Sequence, residues 1–524
     1  MILHNGIVSP DNVETLLPTS HVHHPSFQVK PQMPDYLKRR PDVIPIDCGR
    51  QLFVDDFLIE ECDMQREFYS PQIKGPVLLP TTPLEMDNGN CPVAAPFKDG
   101  AFYDPFDGKF KLWYQAGWFG ATAYAESSDG FHWERINTRA GNGTNRVLPY
   151  SEGRIRDGCS VWLDLNSIDE RYKMFLFTRD PQKREYAELR TSADGMTWST
   201  PTPIMRCGDT TSLFYNPFRD KWVLSVRSLY NREQYLYRYR SYREASTFYE
   251  LAACQKEYFW QTADVDDARD DIYDCDTQLY SLDCVAYESI VIGLYQIFKG
   301  PHNTIAEKLK TPKKCDLYIG FSRDGLQFSR LNRNEFIAGT GACGAWNEGY
   351  IHPATGICII NGHELLFYFG AWSGNSPHLG RHMYAGGSTG VAALRRDGFA
   401  ALVTDNVGRI VTPLVCFEGE GLWVNAQCKS LKAELRDINN RPIKGLTFND
   451  CVCRNIDSTK QQIIWKNPSR LKELTHVPVH IVFEIEQGKL FAFWISKSKS
   501  GASGGYLAAG SVQHRGIKDD PYEY

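Results

Sequence analysis

Five stretches of the chain place an acidic residue just before a short run of apolar, strand-forming residues. Asp87 precedes Asn88-Gly89-Asn90 and CPVAAPF, and Asp157 sits in Arg156-Asp157-Gly158-Cys159-Ser160 before VWLD. Asp209 opens Asp209-Thr210-Thr211 before SLFY, and Asp276 opens Asp276-Thr277-Gln278 before LYSL. Glu348 lies in Trp346-Asn347-Glu348-Gly349 before YIHP. Any one such acid can simply cap a turn. Five gathered in one hollow do more, because like-charged carboxylates held close cannot all ionise freely, so at least one pKa must rise. A protonated carboxyl beside an ionised one is what general acid–base chemistry requires.

What could gather them is a repeat. Ser127-Ser128-Asp129-Gly130 is followed by Trp133, Ser192-Ala193-Asp194-Gly195 by Trp198, and Ser322-Arg323-Asp324-Gly325 by Phe328. A worn copy stands at Arg396-Asp397-Gly398-Phe399. Asp-Gly between apolar runs marks a hairpin, since Gly accepts positive φ and Asp caps its own turn. The glycines are spaced by 65, 130 and 73 residues. The doubled gap leaves room for one lost copy near Arg240 to Ala245, which makes five units. The first unit reads as CPVAAPF, FKLWYQ, ATAYAES and FHWERI, four short strands separated by turns. Four antiparallel strands repeated five times predict a five-bladed β-propeller over residues 45–404. Helical periodicity is confined to a stretch near Asn303 to Lys310.

After about residue 405 the pattern changes to longer alternating strands. A β-sandwich is expected over 405–497, including a hairpin of Val479 to Ile485 with Leu490 to Ile495 around Gln487-Gly488. Residues 1–44 read as an extended arm and 498–524 as a docked or loose tail. LFVDDFLIE at 52–60 is expected to close the propeller ring.

Strand polarity then assigns faces. The Asp-Gly turns join third to fourth strands and fall on one face; inner-strand starts and second-to-third loops share the other. Asp87, Asp157, Asp209, Asp276 and Glu348 are therefore the candidate catalytic set. Asn90, Trp118, Arg154, Arg156, Trp346, His352, Trp372, His378 and Arg381 are candidates for holding a substrate. Glu288 follows an inner strand and belongs to the far face, as a reserve; Asp55 and Asp56 precede the blades.

Composition narrows the rest. Net charge is −5, and the run Lys38-Arg39-Arg40 is too short for a nucleic-acid footprint. Mean hydropathy of −0.40 and the lack of a long apolar run argue against a membrane span. Aromatics make up 13% of the chain, which suits both β-sheet cores and sugar-stacking surfaces. Fifteen cysteines show no paired framework, and Cys451 with Cys453 is not a zinc-ligand spacing. Free thiols in a reducing cytoplasm, no cofactor and no metal are expected. Homo-oligomerisation through the sandwich or the arm is open.

The runs LFVDDFLIE, FKLWYQ with SSDGFHWE, RDGCSVWLD, ERYKMFLF and TGVAALRRDGF, with Val424-Asn425-Ala426 beyond, resemble the five-bladed glycosidase superfamily of arabinanases, xylosidases and invertases. The likeness spans residues 45–497. It implies the propeller, hydrolysis of a glycosidic bond and three essential carboxylates on inner strands. Arg156-Asp157 is similar to the Arg-Asp-Pro segment of invertase-like enzymes, whose Asp stabilises the transition state, with Gly158 in place of Pro. Asp87-Asn88-Gly89 loosely resembles their nucleophile segment, and their Glu-Cys acid motif is not visible. The Asp-Gly-x-x-Trp turns also resemble the Asp boxes of sialidases, whose arginine triad has no match here. The reading is a glycosidase acting on an oligosaccharide, with Glu348 as general acid and Asp87 or Asp157 as base or nucleophile. Asp209 and Asp276 would orient the sugar or tune the other acids. A glycoside phosphorylase and a non-catalytic glycan-binding propeller are the alternatives.

Overall fold

In the computed structural model, which describes residues 1–520 apart from 20–28, 150–153, 233, 234, 268, 271, 274 and 453, the Asp-Gly segments form turns of one design. Gly130, Gly195 and Gly325 have φ of 81°, 75° and 73°, where a side chain is disfavoured. Each glycine N–H donates to the hydroxyl of Ser127, Ser192 or Ser322 at 2.8 Å. The following carboxylates accept two backbone N–H groups: Asp129 from Phe131 and His132, Asp194 from Met196 and Thr197, Asp324 from Leu326 and Gln327. An aromatic of the preceding unit locks the turn, as Trp113 Nε1 on Gly195 O and the Tyr368 hydroxyl on Gly130 O, both 2.8 Å.

These turns sit in a run of four-stranded antiparallel blades. Blade 1 is Val93–Asp104, Lys109–Ala116, Ala121–Ser127 and Glu134–Arg135. Blade 2 is Ile155–Leu163, Tyr172–Arg179, Glu185–Ser192 and Thr202–Pro203. Blade 3 is Ser212–Asn216, Lys221–Arg232, Tyr235–Ala245 and Tyr258–Gln261. Blade 4 is Gln278–Glu288, Ile290–Gly300 and Lys314–Ser322, edged by bridges of Ser329 and Ile337. Blade 5 is Gly349–Pro353 with Ile359–Asn361, then Glu364–Trp372, Gly387–Arg395 and, from far upstream, Gln72–Leu78.

Inner strands join neighbour to neighbour around the ring. Cys159 pairs in parallel with Lys98, Leu213 N donates to Ser160 Oγ, and Ser212 Oγ donates to Leu282 O. Gln296 Nε2 donates to Ile351 O, and Lys98 bridges Ala354 to close the circle. The inner strands are buried on both faces, so they read as continuous apolar runs; the blade cores include Trp113, Tyr124, Tyr172, Leu224, Ile292 and Phe367.

Two expectations about the chain's ends need correction. LFVDDFLIE does not close the ring: Gln51–Leu52 pairs with His480–Ser496, and Asp56–Leu58 is a 3-10 turn capped by Asp55. Gln72–Leu78 closes the ring instead, its alternate residues packing against blade 5. The expected hairpin at Gln487-Gly488 is a bulge within one strand, His480–Ser496. Gln487 takes φ 45° where Ala400–Val411 carries one extra residue between Thr404 and Val407, while flanking strands run past it on both sides.

The expected sandwich pairs as a single seven-stranded antiparallel sheet. Ala400–Val411, His480–Ser496, Gly421–Arg436 and Arg454–Ile463 form its body, and Gln51–Leu52, Glu61–Cys62 and Gln65–Phe68 come from the other end of the chain. The second unit therefore starts well before residue 405. Its core, including Phe53, Phe57, Leu422, Phe483, Phe493 and Trp465, also takes Leu3, Ile7 and Tyr36 from the N-terminal arm.

The C-terminal segment is docked: Tyr506–Leu507 pairs with blade 4 and Ser511 bridges Ile360 in blade 5. Residues 521–524 and Cys453 lie outside the described residues. The other cysteines are free thiols. No helix among the described residues is long and apolar enough to cross a membrane.

Candidate active site

The face opposite the Asp-Gly turns carries a charged funnel over the ring axis. Blade 2 opens with a bulge between Arg156 and Gly158, which seats Asp157 inside the funnel. Blade 3 brings Asp209 against it. A Cβ on Gly158 would lie 1.7 Å from the Asp209 carbonyl oxygen, so only glycine permits this approach.

Arg179, at the end of blade 2's second strand, bridges the two acids. Its Nη2 lies 3.0 Å from Asp157 Oδ2 and 3.3 Å from Asp209 Oδ2. Their nearest oxygens are therefore within about 6 Å of each other. Arg227 Nε adds a contact of 2.8 Å to Asp209 Oδ1. The Arg179–Asp157 contact is close but poorly aligned, and this Oδ2 has no hydrogen-bond donor among the described residues.

The two carboxyls are pushed apart electrostatically. Burial, and next the charge of Asp209, raise Asp157 to about 7 against the opposing pull of Arg179, Arg227 and Arg156. Burial also works to raise Asp209, but Arg227 and Arg179, helped by Arg238 and Lys313, bring it below the usual carboxylate range. Near neutrality the pair is one acid and one anion.

An aromatic wall flanks the pair. Phe97, Tyr280, Tyr350 and Trp372 are buried, while Trp118 and Tyr384 are partly open and stack on each other at 4.0 Å and 10°. Lys313 Nζ stands 5.0 Å from the Tyr350 ring and 5.2 Å from that of Tyr384. Burial, with Arg238 beside it, lowers Lys313 to about 8. Below the wall the axis is plugged by a Lys98–Asp283 ion pair that spans from blade 1 to blade 4, with Ser281 also accepting from Lys98.

The other expected acids have separate partners. Asp87 Oδ2 accepts the Cys91 N–H and closes its own left-handed turn. Asp276 stands at the rim with the Tyr237 hydroxyl at 2.9 Å and Arg269 at 3.8 Å. Glu348 is held by Arg381 at 2.6 and 2.7 Å, by Gly344 N and by Thr311 Oγ1. A carboxylate so engaged has no face left for a leaving group, and the general-acid role expected for Glu348 does not fit.

Several expected binding residues are also walls or supports. Arg156 is buried in an ion pair with Asp99. His352 is fully buried against Phe97 at 4.2 Å with neither ring nitrogen bonded among the described residues, and burial, then Lys98 and Lys313, hold it far below the ordinary imidazole range. Trp372 has no exposed surface and donates to Tyr384 O at 3.1 Å. Trp346 packs on Phe369, and Arg154 stacks on Tyr186 at 3.8 Å on the outer part of blade 2. Asn90 and His378 are exposed at one rim loop, where His378 N donates to Gly89 O. Trp118 remains as an accessible stacking surface. Glu288 is on the far side, tied to Arg396, Arg50 and Ser503.

The residues missed are Arg179, Arg227, Arg238, Lys313 and Tyr384. Lys313 and Tyr384 precede third strands, in the same loop class that selected Trp118. Arg179, Arg227 and Arg238 lie inside strands, where only their position at the funnel end of a blade marks them. Among the described residues no group of three or more His, Cys, Asp or Glu could hold a metal ion.

No protein-family model matches the sequence, and no curated protein matches it either. Among solved structures the chain is similar to an N-acetylgalactosamine deacetylase from F. plautii, with 13% identity, a TM-score of 0.45, and coverage of 63% of this chain and 96% of that one. It is also similar to an α-L-arabinofuranosidase of Fusarium graminearum at 12% identity and TM-score 0.34, covering 63% and 99%. A family-32 glycoside hydrolase from Bifidobacterium adolescentis matches at 9% and 0.31, covering 79% and 84%.

Proposed function

We propose that the protein is a glycoside hydrolase in which Asp157 delivers the proton to the leaving oxygen and Asp209 is the ionised partner. The observation that carries this reading is the opposed shift of two carboxyls from adjacent inner strands around one arginine. One carboxyl is an acid at neutral pH; the other is an anion able to attack or to steady an oxocarbenium-like centre. Trp118 and Tyr384 supply a face for a sugar ring, and the buried wall limits water around the pair.

The short separation favours a double displacement with Asp209 as nucleophile, because inverting enzymes need about 6.5–9.5 Å between carboxyls to fit a water. The anomeric configuration should therefore be retained. The test is to assay Asp157→Asn and Asp209→Asn on a panel of aryl glycosides and oligosaccharides. Each should lose turnover by at least a hundredfold; turnover surviving both substitutions rules the assignment out.

One observation favours a second reading within enzymes. A phosphorylase needs cationic side chains beside the acids, and Arg179, Arg227, Arg238 and Lys313 stand there. Turnover that depends on added phosphate, with release of a sugar phosphate, would select it.

A further inference from the structure

We propose that the substrate of this funnel carries an acidic group, the carboxylate of a uronic-type sugar, and that Lys313 and Arg238 hold it. The inference rests on the hydrolase reading of Asp157 and Asp209 and adds a substrate class to it.

Lys313 is 3% exposed, yet among the described residues its ammonium has no carboxylate within 4 Å and no hydrogen-bond acceptor. It stands over the faces of Tyr350, Tyr384 and, at 5.9 Å, Tyr280, with Asp209 and Asp157 acting on it from beyond ion-pair distance. Arg238 lies over the same Tyr280 ring at 4.9 Å and over Phe298 at 5.5 Å. Its one side-chain acceptor among the described residues is a neutral amide oxygen, Gln278 Oε1 at 2.9 Å. Two cations therefore share one aromatic ring, and among the described residues neither has a carboxylate within 4 Å; Asp209, which acts on both, is engaged by Arg179 and Arg227 instead.

Arg238 is half-buried and Lys313 buried, and the other buried cations among the described residues are not left in this state. Arg50, Arg156, Arg219, Arg323 and Lys98 each face a carboxylate. Arg240 has none within 4 Å but spends its donors on the carbonyls of Thr210, Ser225 and Tyr280. Desolvating a charge without a partner is costly, and two like charges together cost more. Burial, then Arg238 and Lys313, also depress His302 beside them.

The balance of charge points the same way. Arg179, Arg227, Arg238 and Lys313 stand against Asp157 and Asp209, an excess of positive charge in a chain whose net charge is −5. A neutral sugar needs stacking and hydrogen bonds, not this. A carboxylate offers two oxygens to the planar guanidinium and a point charge to the ammonium.

The experiment is calorimetric titration of the full chain at low ionic strength with D-glucuronate and D-galacturonate, each against its neutral parent hexose, and with inorganic phosphate. At least one uronate should bind ten times more tightly than its parent. Lys313→Met and Arg238→Gln should each erase that preference, and Lys313→Arg should keep most of it. Circular dichroism identifies a variant that fails to fold, and the remaining one then decides.

Uronates binding no better than hexoses would overturn the proposal. So would a preference that survives in both variants, or phosphate alone binding through these two residues. Uronate selectivity in a protein that hydrolyses nothing supports the site while removing the chemistry assigned to Asp157. Asp157-dependent hydrolysis confined to neutral glycosides does the reverse.

Discussion

Replacing Arg179 by Met should move the alkaline limb of the pH–rate profile toward higher pH. Asp157, as proton donor, is active while protonated, so kcat/KM should fall as pH rises through about 7. Arg179 lies 3.0 Å from its carboxylate and favours the ionised form. Without this cation the carboxyl keeps its proton longer, so its pKa rises. An opposite charge at this range is worth about 1–3 units. Arg179 is 29% exposed, so solvent screening places it at the low end, about 1 unit or roughly 1.4 kcal/mol. Asp209 keeps Arg227 at 2.8 Å and stays ionised. At pH 8 the protonated fraction of Asp157 should then climb from about one tenth to about one half, a gain of roughly fivefold relative to the acidic plateau. The assay is kcat/KM between about pH 5 and 9 on the best aryl glycoside, for wild type and variant. A limb that stays in place, or moves to lower pH, refutes the electrostatic assignment.

Three further outcomes follow from the same geometry. Asp157 is held above its unfolded pKa of 3.8, so its contribution is full below about pH 4 and is lost as pH rises through about 7. Asp157→Asn should therefore gain in melting temperature over wild type by more at pH 8 than at pH 5, as differential scanning calorimetry would show. Glu348→Gln leaves Arg381 half-buried without its carboxylate, and should cost on the order of 3 kcal/mol in a urea titration while kcat per folded molecule changes less than severalfold. Asp194→Ala removes an acceptor of two turn N–H groups on the far face and should cost about 1 kcal/mol with no change in activity.

The ring was legible because its punctuation is local. A serine, an aspartate and a glycine within four residues determine one turn, and the same hydrogen bonds recur in three blades. The fifth copy was worn for a reason that its sequence does not display. Asp397 accepts from Arg50 at 2.7 Å and from Asn425 at 2.9 Å, so it ties the propeller to the second sheet instead of capping a turn. Ring closure by Gln72–Leu78 was hidden because that strand alternates half-buried with exposed residues, whereas LFVDDFLIE looked like a strand for being buried. The Gln487-Gly488 bulge and the expected hairpin share one local signal, positive φ beside glycine. Only strands distant in sequence decide between them.

The candidate site was half legible for a related reason. Strand polarity identified the face and both members of the acid pair, but not which two acids meet. That depends on a main-chain detail: Gly158 stands where the resembled segment has Pro, and a Cβ there would strike the carbonyl of Asp209. The departure from the pattern is thus what joins Asp157 to Asp209, by letting the first turn of blade 3 lie on the inner strand of blade 2. Once the two acids are that close, with Asp157 buried and Asp209 half-buried, a cation between them offsets their repulsion, and Arg179 takes that place. Arg227 then distinguishes the partners, since its Nε lies 2.8 Å from Asp209, to which Arg179 also donates a hydrogen bond, while Asp157 Oδ2 has no hydrogen-bond donor among the described residues. The asymmetry that makes one carboxyl an acid and the other an anion comes from the strand and loop that carry each, because as isolated side chains the two aspartates are identical.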